Sequence, residues 1–140
     1  DLDTLNQNLK ENGLEYVTVD AVMEASDDSG QMLGYVLTVT DSEGYGGDIQ
    51  LSMGIRMDGT LNGISILSIS ETAGLGMNAD TDAFKSQFAD KNVEQFTYTK
   101  NGASADNEID AISGATITTN AVTNGVNGGL LTFQYLKGGN

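Results

Sequence analysis

Small hydroxyl-bearing residues stand immediately before the last predicted helix of this 140-residue chain. The segment ISGATITT places Ser113, Gly114, Ala115 and Thr116 where that helix is expected to begin. The first turn of a helix leaves backbone N–H groups without helical acceptors, and the helix dipole makes this end positive. Such an end binds phosphate and other anions. Because the chain has only 6 Lys and Arg residues, we expect backbone donors and small hydroxyl side chains to hold the anion.

The same residues also have an ordinary structural interpretation. Ser or Thr before an apolar periodic run is typical of helix N-caps, where the side-chain oxygen accepts a backbone hydrogen bond. Spacing alone therefore leaves two interpretations of residues 112–119 open, an anion site and a simple N-cap.

Composition excludes several kinds of chemistry. The chain has no Cys and no His, which removes thiol nucleophiles, Ser-His triads and structural zinc. Its 20 Asp and Glu residues give a formal net charge of -14, and this negative field repels nucleic-acid phosphates and acidic lipid surfaces. We therefore expect no nucleic acid among the partners, no metal at the site and no catalytic side chain of these classes.

The first half of the chain is predicted to form a short helix and four strands. Residues 3–12 have leucines on one helical face, and residues 16–70 show the alternation and β-branched content of strands. Turn signals at 27–30 and at the Asp-Gly pair 58–59 separate the strands. A four-stranded antiparallel meander with an irregularity near Gly63 is the simplest arrangement.

The second half is predicted to be mixed. Glycines indicate a loop over 71–78, Asp80 or Thr81 is placed to cap a helix that ends near residue 90, and residues 95–100 are predicted to form a strand. The apolar stripe predicted for that helix is Ala83, Phe84 and Phe88.

The last predicted helix carries glycines at 125, 128 and 129. Each costs about 1 kcal/mol relative to Ala in a helix, so we expect this helix to pack its backbone tightly against a sheet. The predicted fold is α+β, a single domain with a mainly antiparallel twisted sheet and flanking helices.

The run DAISGAT, from Asp110 to Thr116, resembles the Asp-x-x-Ser/Thr-Gly-Ala-Thr signature of FMN-binding domains that carry flavin covalently. Such domains occur in the G subunit of the Rnf electron-transport complex and the C subunit of the sodium-pumping NADH:quinone oxidoreductase. In that family a flavin transferase joins the FMN phosphate to the hydroxyl of the last motif Thr. The resemblance implies that Thr116 carries FMN as a phosphodiester, that Ser113, Gly114 and Ala115 lie at the site, and that the transferase recognises Asp110.

Two further segments resemble the same family. ETAGLG at 71–76 is similar to its Glu-Thr-Pro-Gly-Leu-Gly loop, with Ala73 in place of Pro, and GYGGDI at 44–49 is similar to its glycine-rich entry to a strand. The likeness covers roughly residues 30–136. The loop and the helix start add these implied cofactor-binding residues: Glu71, Thr72, Gly74, Leu75, Gly76, Ile117 and Thr118.

The resemblance implies an electron-transfer flavoprotein domain that relays electrons within a membrane-bound Rnf-type complex rather than converting a substrate by itself. Its implied partners are the other redox subunits and the flavin transferase. It implies residues 1–29 as an N-terminal helix and first strand truncated from a membrane anchor, and 30–140 as the FMN-binding domain, on the extracytoplasmic face of the membrane. Two alternatives remain open, a stand-alone extracytoplasmic FMN-dependent reductase and a binding module of the same fold without flavin.

Several side chains have less specific interpretations. Glu71 is equally compatible with a flavin contact and with a solvated turn at the end of a strand. Tyr35, Tyr45 and Phe96 are candidates for stacking on a flavin, but strand aromatics usually pack in the core, and we favour the core here. The acidic runs at 41–44 and 78–82 do not match a complete calcium loop, and solvated acidic turns are the favoured interpretation.

Overall fold

The computed structural model describes residues 2–138 of the chain. The helices and strands are α1 Leu2–Glu11, β1 Val17–Ser26, β2 Met32–Asp41, β3 Ile49–Arg56, β4 Leu61–Ser68, α2 Asp82–Lys85, β5 Thr97–Thr99, β6 Glu108–Asp110 and α3 Thr116–Gly138. Short 3-10 turns at Gly76–Asp80 and Ser86–Phe88 lie on either side of α2. No helix within the described residues is long and apolar enough to cross a membrane.

Strands β1 to β4 form an antiparallel sheet in the order of the sequence, which confirms the predicted meander. The predicted irregularity near Gly63 is also confirmed, because Gly54 pairs with Gly63 whereas Ile55 pairs with Leu61, so β4 has an extra residue at this point. Such a bulge bends the strand and increases its twist.

One face of the sheet packs against α3. The predicted alternation along β3 is confirmed, because Leu51 and Met53 are buried whereas Gln50 and Ser52 are only partly so. A Cβ atom on Gly128 would lie 2.6 Å from Val17 Cγ1, and one on Gly129 would overlap the Met53 sulfur. The glycines therefore let the backbone of α3 approach the sheet closely, as predicted.

Two asparagines join helices to the backbone of β1 and of the residue before β5. Asn6 of α1 accepts from Val19 N at 2.7 Å and donates to Val19 O at 3.3 Å. Asn127 of α3 accepts from Phe96 N at 2.7 Å and donates to Phe96 O at 2.9 Å. Leu5 of α1 belongs to the same buried cluster as the sheet residues, so α1 is packed on the domain.

The predicted helix between residues 80 and 90 is shorter than expected. Thr81 caps it as predicted, accepting from Phe84 N at 3.3 Å. The helix α2 ends at Lys85, however, and the following residues form a 3-10 turn. Ala83 is exposed, so the predicted apolar stripe is wrong at this position. The buried pair is Phe84 and Phe88, whose ring centroids are 5.7 Å apart, and the tighter turn directs Phe88 into the core.

Two features of the second half were not predicted. The loop assigned to 71–78 ends in the 3-10 turn at Gly76–Asp80. Residues 108–110 form β6, which pairs in parallel with β5, so that Tyr98 lies opposite Ile109. The strand predicted at residues 95–100 is confirmed as the shorter β5, whereas β6 has only three residues, too few to show an alternating pattern, so this strand and its parallel pairing were not predicted.

Candidate functional site

A tight turn delivers the chain into α3. Ala115 N donates to Ile112 O at 3.0 Å, and Gly114 between them has a φ of 73°, a left-handed conformation that glycine adopts without strain. Thr119 N donates to Ala115 O at 3.0 Å, the first hydrogen bond of the helix. The residue preceding α3 is thus Ala115, whose side chain has no acceptor. The simple N-cap interpretation therefore fails, because the residue at the N-cap position cannot accept a hydrogen bond through its side chain.

Three threonines in the first turn of α3 have different hydrogen bonds. Thr119 Oγ1 accepts from Ile112 N at 3.0 Å and donates to Ala115 O at 2.9 Å, which fixes the preceding turn. Thr118 Oγ1 donates to Glu71 Oε1 at 2.6 Å. The half-buried Thr116 has no side-chain hydrogen bond within residues 2–138. Of the three hydroxyls, that of Thr116 is therefore the one that makes no hydrogen bond to the described residues.

A cleft of about 500 Å³ opens at this end of α3. Its lining residues are Tyr45, Thr72, Leu75, Gly76, Gly114, Ala115, Thr116, Ile117 and Thr118. None of these side chains is charged. The structure therefore brings together the start of α3 and the 72–76 loop, which the sequence pattern had placed some 40 residues apart along the chain. The lining combines threonine hydroxyls with the apolar side chains of Leu75 and Ile117, the mixture of apolar surface and few polar groups that is typical of small-molecule sites.

The 72–76 loop has its own internal hydrogen bonds. Leu75 N donates to Thr72 O at 3.1 Å, and Asn78 Nδ2 donates to Gly74 O at 3.2 Å. Leu75 is 43% exposed, and its Cδ2 lies 3.1 Å from where a Cβ on Gly114 would stand. Leu75 thus projects across the turn that leads into α3.

Glu71 lies directly before this loop but outside the cleft lining. Its Oε1 accepts from Tyr45 N at 2.8 Å and from Thr118 Oγ1, and its Oε2 accepts from Gly46 N. A Cβ on Gly76 would come within 2.6 Å of both Glu71 Cβ and Thr118 Oγ1. The carboxylate therefore joins the 44–47 loop to the first turn of α3, and both segments contribute residues to the cleft lining.

The remaining predicted residues lie at the margin. Ser113 and Gly74 are exposed and adjacent to lining residues. Asp110 is exposed at the end of β6, where its Oδ1 accepts from Ala103 N at 2.6 Å and its own N–H donates to Gln87 Oε1 at 2.6 Å.

Among the three aromatic candidates, the structure separates Tyr45 from the other two. Phe96 is buried against Phe88 with ring centroids 5.0 Å apart, and Tyr35 contacts Phe133 edge to face, so both serve the core as predicted. Tyr45 instead lines the cleft. The core position favoured for Tyr45 is therefore wrong, and its place between Gly44 and Gly46 is the signal that could have separated it from a strand aromatic.

A buried carboxyl lies beneath the 42–48 loop. Asp41 Oδ1 accepts from Glu43 N at 2.6 Å, and Oδ2 has no hydrogen-bond partner in the part of the chain that the structure describes. Burial, together with the nearby charges of Glu43 and Asp48, raises the pKa of Asp41 to about 8. The Glu43 carboxylate accepts a hydrogen bond from Asn124 Nδ2 at 3.0 Å, so the Glu43 side chain lies against α3.

No group of three or more acidic side chains in the described part of the chain is arranged to hold a metal.

The family model described as "FMN-binding domain" matches residues 44–130, which is more than half of the chain. The chain belongs to this family. The match spans the 44–49 segment, the 71–76 loop and the DAISGAT run, so all three segments that carry the resemblance lie within it. The prediction that the cofactor is FMN is confirmed.

Curated relatives are similar over most of this chain. The G subunit of the Na(+)-translocating ferredoxin:NAD(+) oxidoreductase complex of Acetobacterium woodii is 37% identical over 111 residues, covering 78% of this chain and 53% of that protein. The G subunit of the proton-translocating ferredoxin:NAD(+) oxidoreductase complex of Clostridium ljungdahlii is 42% identical over 102 residues, covering 73% and 54%. The chain therefore spans about half the length of these relatives.

Solved structures share the fold. NqrC of Shewanella oneidensis superposes with a TM-score of 0.68 at 22% identity, covering 84% of this chain and 59% of that one. The C subunit of the Na(+)-translocating NADH-quinone reductase from Parabacteroides distasonis gives a TM-score of 0.64 at 26% identity, covering 83% and 60%. The predicted α+β single-domain fold is confirmed.

Proposed function

We propose that this chain is an electron-transfer domain that carries FMN as a phosphodiester on Thr116 and relays electrons within a membrane-bound Rnf-type complex. The observation that carries this proposal is the Thr116 hydroxyl, which has no hydrogen-bond partner among residues 2–138 and lies at a cleft whose lining residues are all uncharged. Its neighbours Thr118 and Thr119 are engaged in hydrogen bonds that hold the helix start in place.

The covalent bond explains how an acidic chain retains a phosphorylated cofactor. A helix N-terminus stabilises an exposed anion by about 0.3–1 kcal/mol, which is too little to retain a diffusible flavin. The net charge of -14 and the absence of cationic side chains from the cleft lining offer no further attraction. Esterification of the Thr116 oxygen by the FMN phosphate, with net loss of one water, removes the need for a basic pocket.

Each part of the cleft has a role in this proposal. The N–H groups at the start of α3 stabilise the phosphodiester charge, the hydroxyl of Thr72 contacts the polar edge of the ring, and the Leu75 and Ile117 side chains contact its apolar surface. FMN supplies the redox chemistry when bound, taking up and releasing electrons. The protein orients the ring and limits its contact with water.

The proposal also covers the partners of the domain and its location. The other redox subunits are the partners, the exposed Asp110 is accessible to the flavin transferase, and the domain lies on the extracytoplasmic face of the membrane. The names of the relatives, which are G subunits of ion-translocating complexes, support the assignment of other complex subunits as partners.

Intact-mass spectrometry of protein produced together with a flavin transferase tests the attachment site. The wild-type mass should exceed that of the chain by FMN less one water, and Thr116→Ala should abolish the increase. Thr72→Ala is the matched control, because Thr72 also presents a hydroxyl to the cleft, and Thr118→Ala should retain the adduct as well. An adduct that survives in Thr116→Ala, or disappears in Thr72→Ala, would contradict the assignment.

A further inference from the structure

Part of the cleft lining comes from residues outside the DAISGAT motif. Tyr45, in the loop between β2 and β3, is 73% exposed, so a large ring with an apolar body is open to solvent at this point. It lines the cleft together with Leu75 and Ile117, which are 43% and 52% exposed. Three partly apolar side chains from three separate segments thus surround one opening.

The loop that carries Tyr45 is anchored and not free to move away. Its two consecutive N–H groups, from Tyr45 and Gly46, both donate to the Glu71 carboxylate. Gly46 lies so close to Ser70 O that a Cβ atom would overlap it. The loop backbone therefore rests directly on residues 70 and 71, and the carboxylate accepts hydrogen bonds that would otherwise go to water.

The same carboxylate extends the connection to α3. Thr118 Oγ1 donates to Glu71 Oε1 at 2.6 Å, and Thr118 lies in the same helical turn as Thr116. Because Glu71 already accepts three hydrogen bonds and lies behind the lining residues, it is better placed to hold its neighbours than to bind a ligand. It fixes the position of Tyr45 relative to the attachment point.

We propose that Tyr45 is a flavin-contact residue whose ring packs against the isoalloxazine, and that Glu71 is the positioning residue that keeps it there. This inference rests on the proposed function. In this inference Glu71 holds Tyr45 and Thr118 in place and makes no direct hydrogen bond to the cofactor.

The proposal predicts a specific optical property. A phenol ring in contact with an excited flavin transfers one electron to it, and that electron returns to the phenol, so fluorescence is quenched without net reaction. A residue with a purely structural role has no such effect on the excited state. Flavin fluorescence lifetime therefore reports directly on the distance between the Tyr45 ring and the isoalloxazine.

The test uses the flavin-loaded protein, with the adduct verified by intact mass in every variant. Tyr45→Leu should lengthen the fluorescence lifetime several-fold while keeping the adduct. Tyr16→Leu is the matched control, because Tyr16 is 54% exposed but does not line the cleft, and its lifetime should equal that of the wild type. Glu71→Ala should lengthen the lifetime less than Tyr45→Leu, and Glu71→Gln should restore part of the quenching, because an amide oxygen still accepts hydrogen bonds.

The double variant separates positioning from other effects. If Glu71 acts through Tyr45, adding Glu71→Ala to Tyr45→Leu should produce no further change in lifetime. Equal changes in both backgrounds would overturn the positioning role, and an unchanged lifetime in flavin-loaded Tyr45→Leu would overturn the contact. A wild-type chain that acquires no adduct would overturn the proposed function and this inference with it, whereas an adduct with normal lifetimes in the variants would overturn only the inference.

Discussion

Thr118 and Glu71 are joined by a 2.6 Å hydrogen bond that spans 47 positions of the chain. It connects the first turn of the last helix to the end of the meander, and the cleft lies beside it. Gly76 packs against both partners, since an added Cβ would stand 2.6 Å from Thr118 Oγ1 and 2.6 Å from Glu71 Cβ. The absence of a side chain at position 76 is therefore a condition for this hydrogen bond.

Gly76→Ala should separate Thr118 from Glu71 and destabilise the domain by about 1–3 kcal/mol, the usual cost of forcing extra volume into a packed site. Urea unfolding measures the loss. Gly54→Ala is the matched control, because the nearest atom to its Cβ would be Asn62 Nδ2 at 3.7 Å, an ordinary contact. Equal stability losses in the two variants would contradict the tight packing at Gly76.

Thr119→Val should loosen the turn that presents Thr116. The substitution keeps the side-chain shape but leaves the Ile112 N–H without its acceptor, and an unsatisfied buried donor costs about 1–3 kcal/mol. We expect lower stability in urea and slower attachment of FMN, followed by mass spectrometry over time.

Two controls make this result specific. Thr119→Ser retains the hydroxyl and should attach FMN at the wild-type rate. Thr123→Val removes a hydroxyl that donates to Thr119 O within the helix and supports no turn. If Thr119→Ser behaves like Thr119→Val, the hydroxyl at position 119 does not hold the turn.

Leu75→Ala should shift the midpoint potential of bound FMN without releasing the cofactor. Removal of this side chain opens one side of the cleft to water and changes the polarity around the flavin, which tunes its potential. Spectroelectrochemical titration measures the shift. Leu67→Ala is the control, because Leu67 is 53% exposed and lies outside the cleft lining. An unchanged potential in Leu75→Ala would remove this loop from the flavin environment.

The sequence predicted the meander and α3 because their apolar patterns are long. Met53 and Leu51 alternate with polar neighbours on β3, and the glycines of α3 indicated the close approach to the sheet that the structure confirms. Strands β5 and β6 each have three residues, and their pairing depends on tertiary contacts such as that between Asn127 and Phe96. No local pattern encodes such contacts.

The candidate site, like the fold, was predictable only in part. The resemblance and the expected helix start pointed to the DAISGAT motif, and its last three residues, Gly114, Ala115 and Thr116, line the cleft. The hydrogen bonds of Glu71 to Tyr45 and Thr118 were not predictable, since they join positions 26 and 47 residues apart. The pattern therefore identified the participants but not which of them contact one another.

Asp41 should make the stability of the domain depend on pH. Its pKa is near the ordinary value of 3.8 in the unfolded chain and is raised to about 8 in the folded one, so between these values the folded state holds a proton that the unfolded state has lost. The stabilisation is complete below about pH 4 and decreases as pH rises to 8, by roughly 1.4 kcal/mol per pH unit at most.

Comparison with Asp41→Asn isolates this effect, because the amide mimics the protonated acid and the repulsion among the other charges affects both proteins alike. The difference in unfolding free energy, measured in urea from pH 5 to pH 9, should increasingly favour Asp41→Asn up to about pH 8 and then level off. Glu43→Gln removes a charge that helps to raise this pKa, so in that background the levelling should occur at lower pH. A difference that does not vary with pH would show that Asp41 is already ionised in the folded protein.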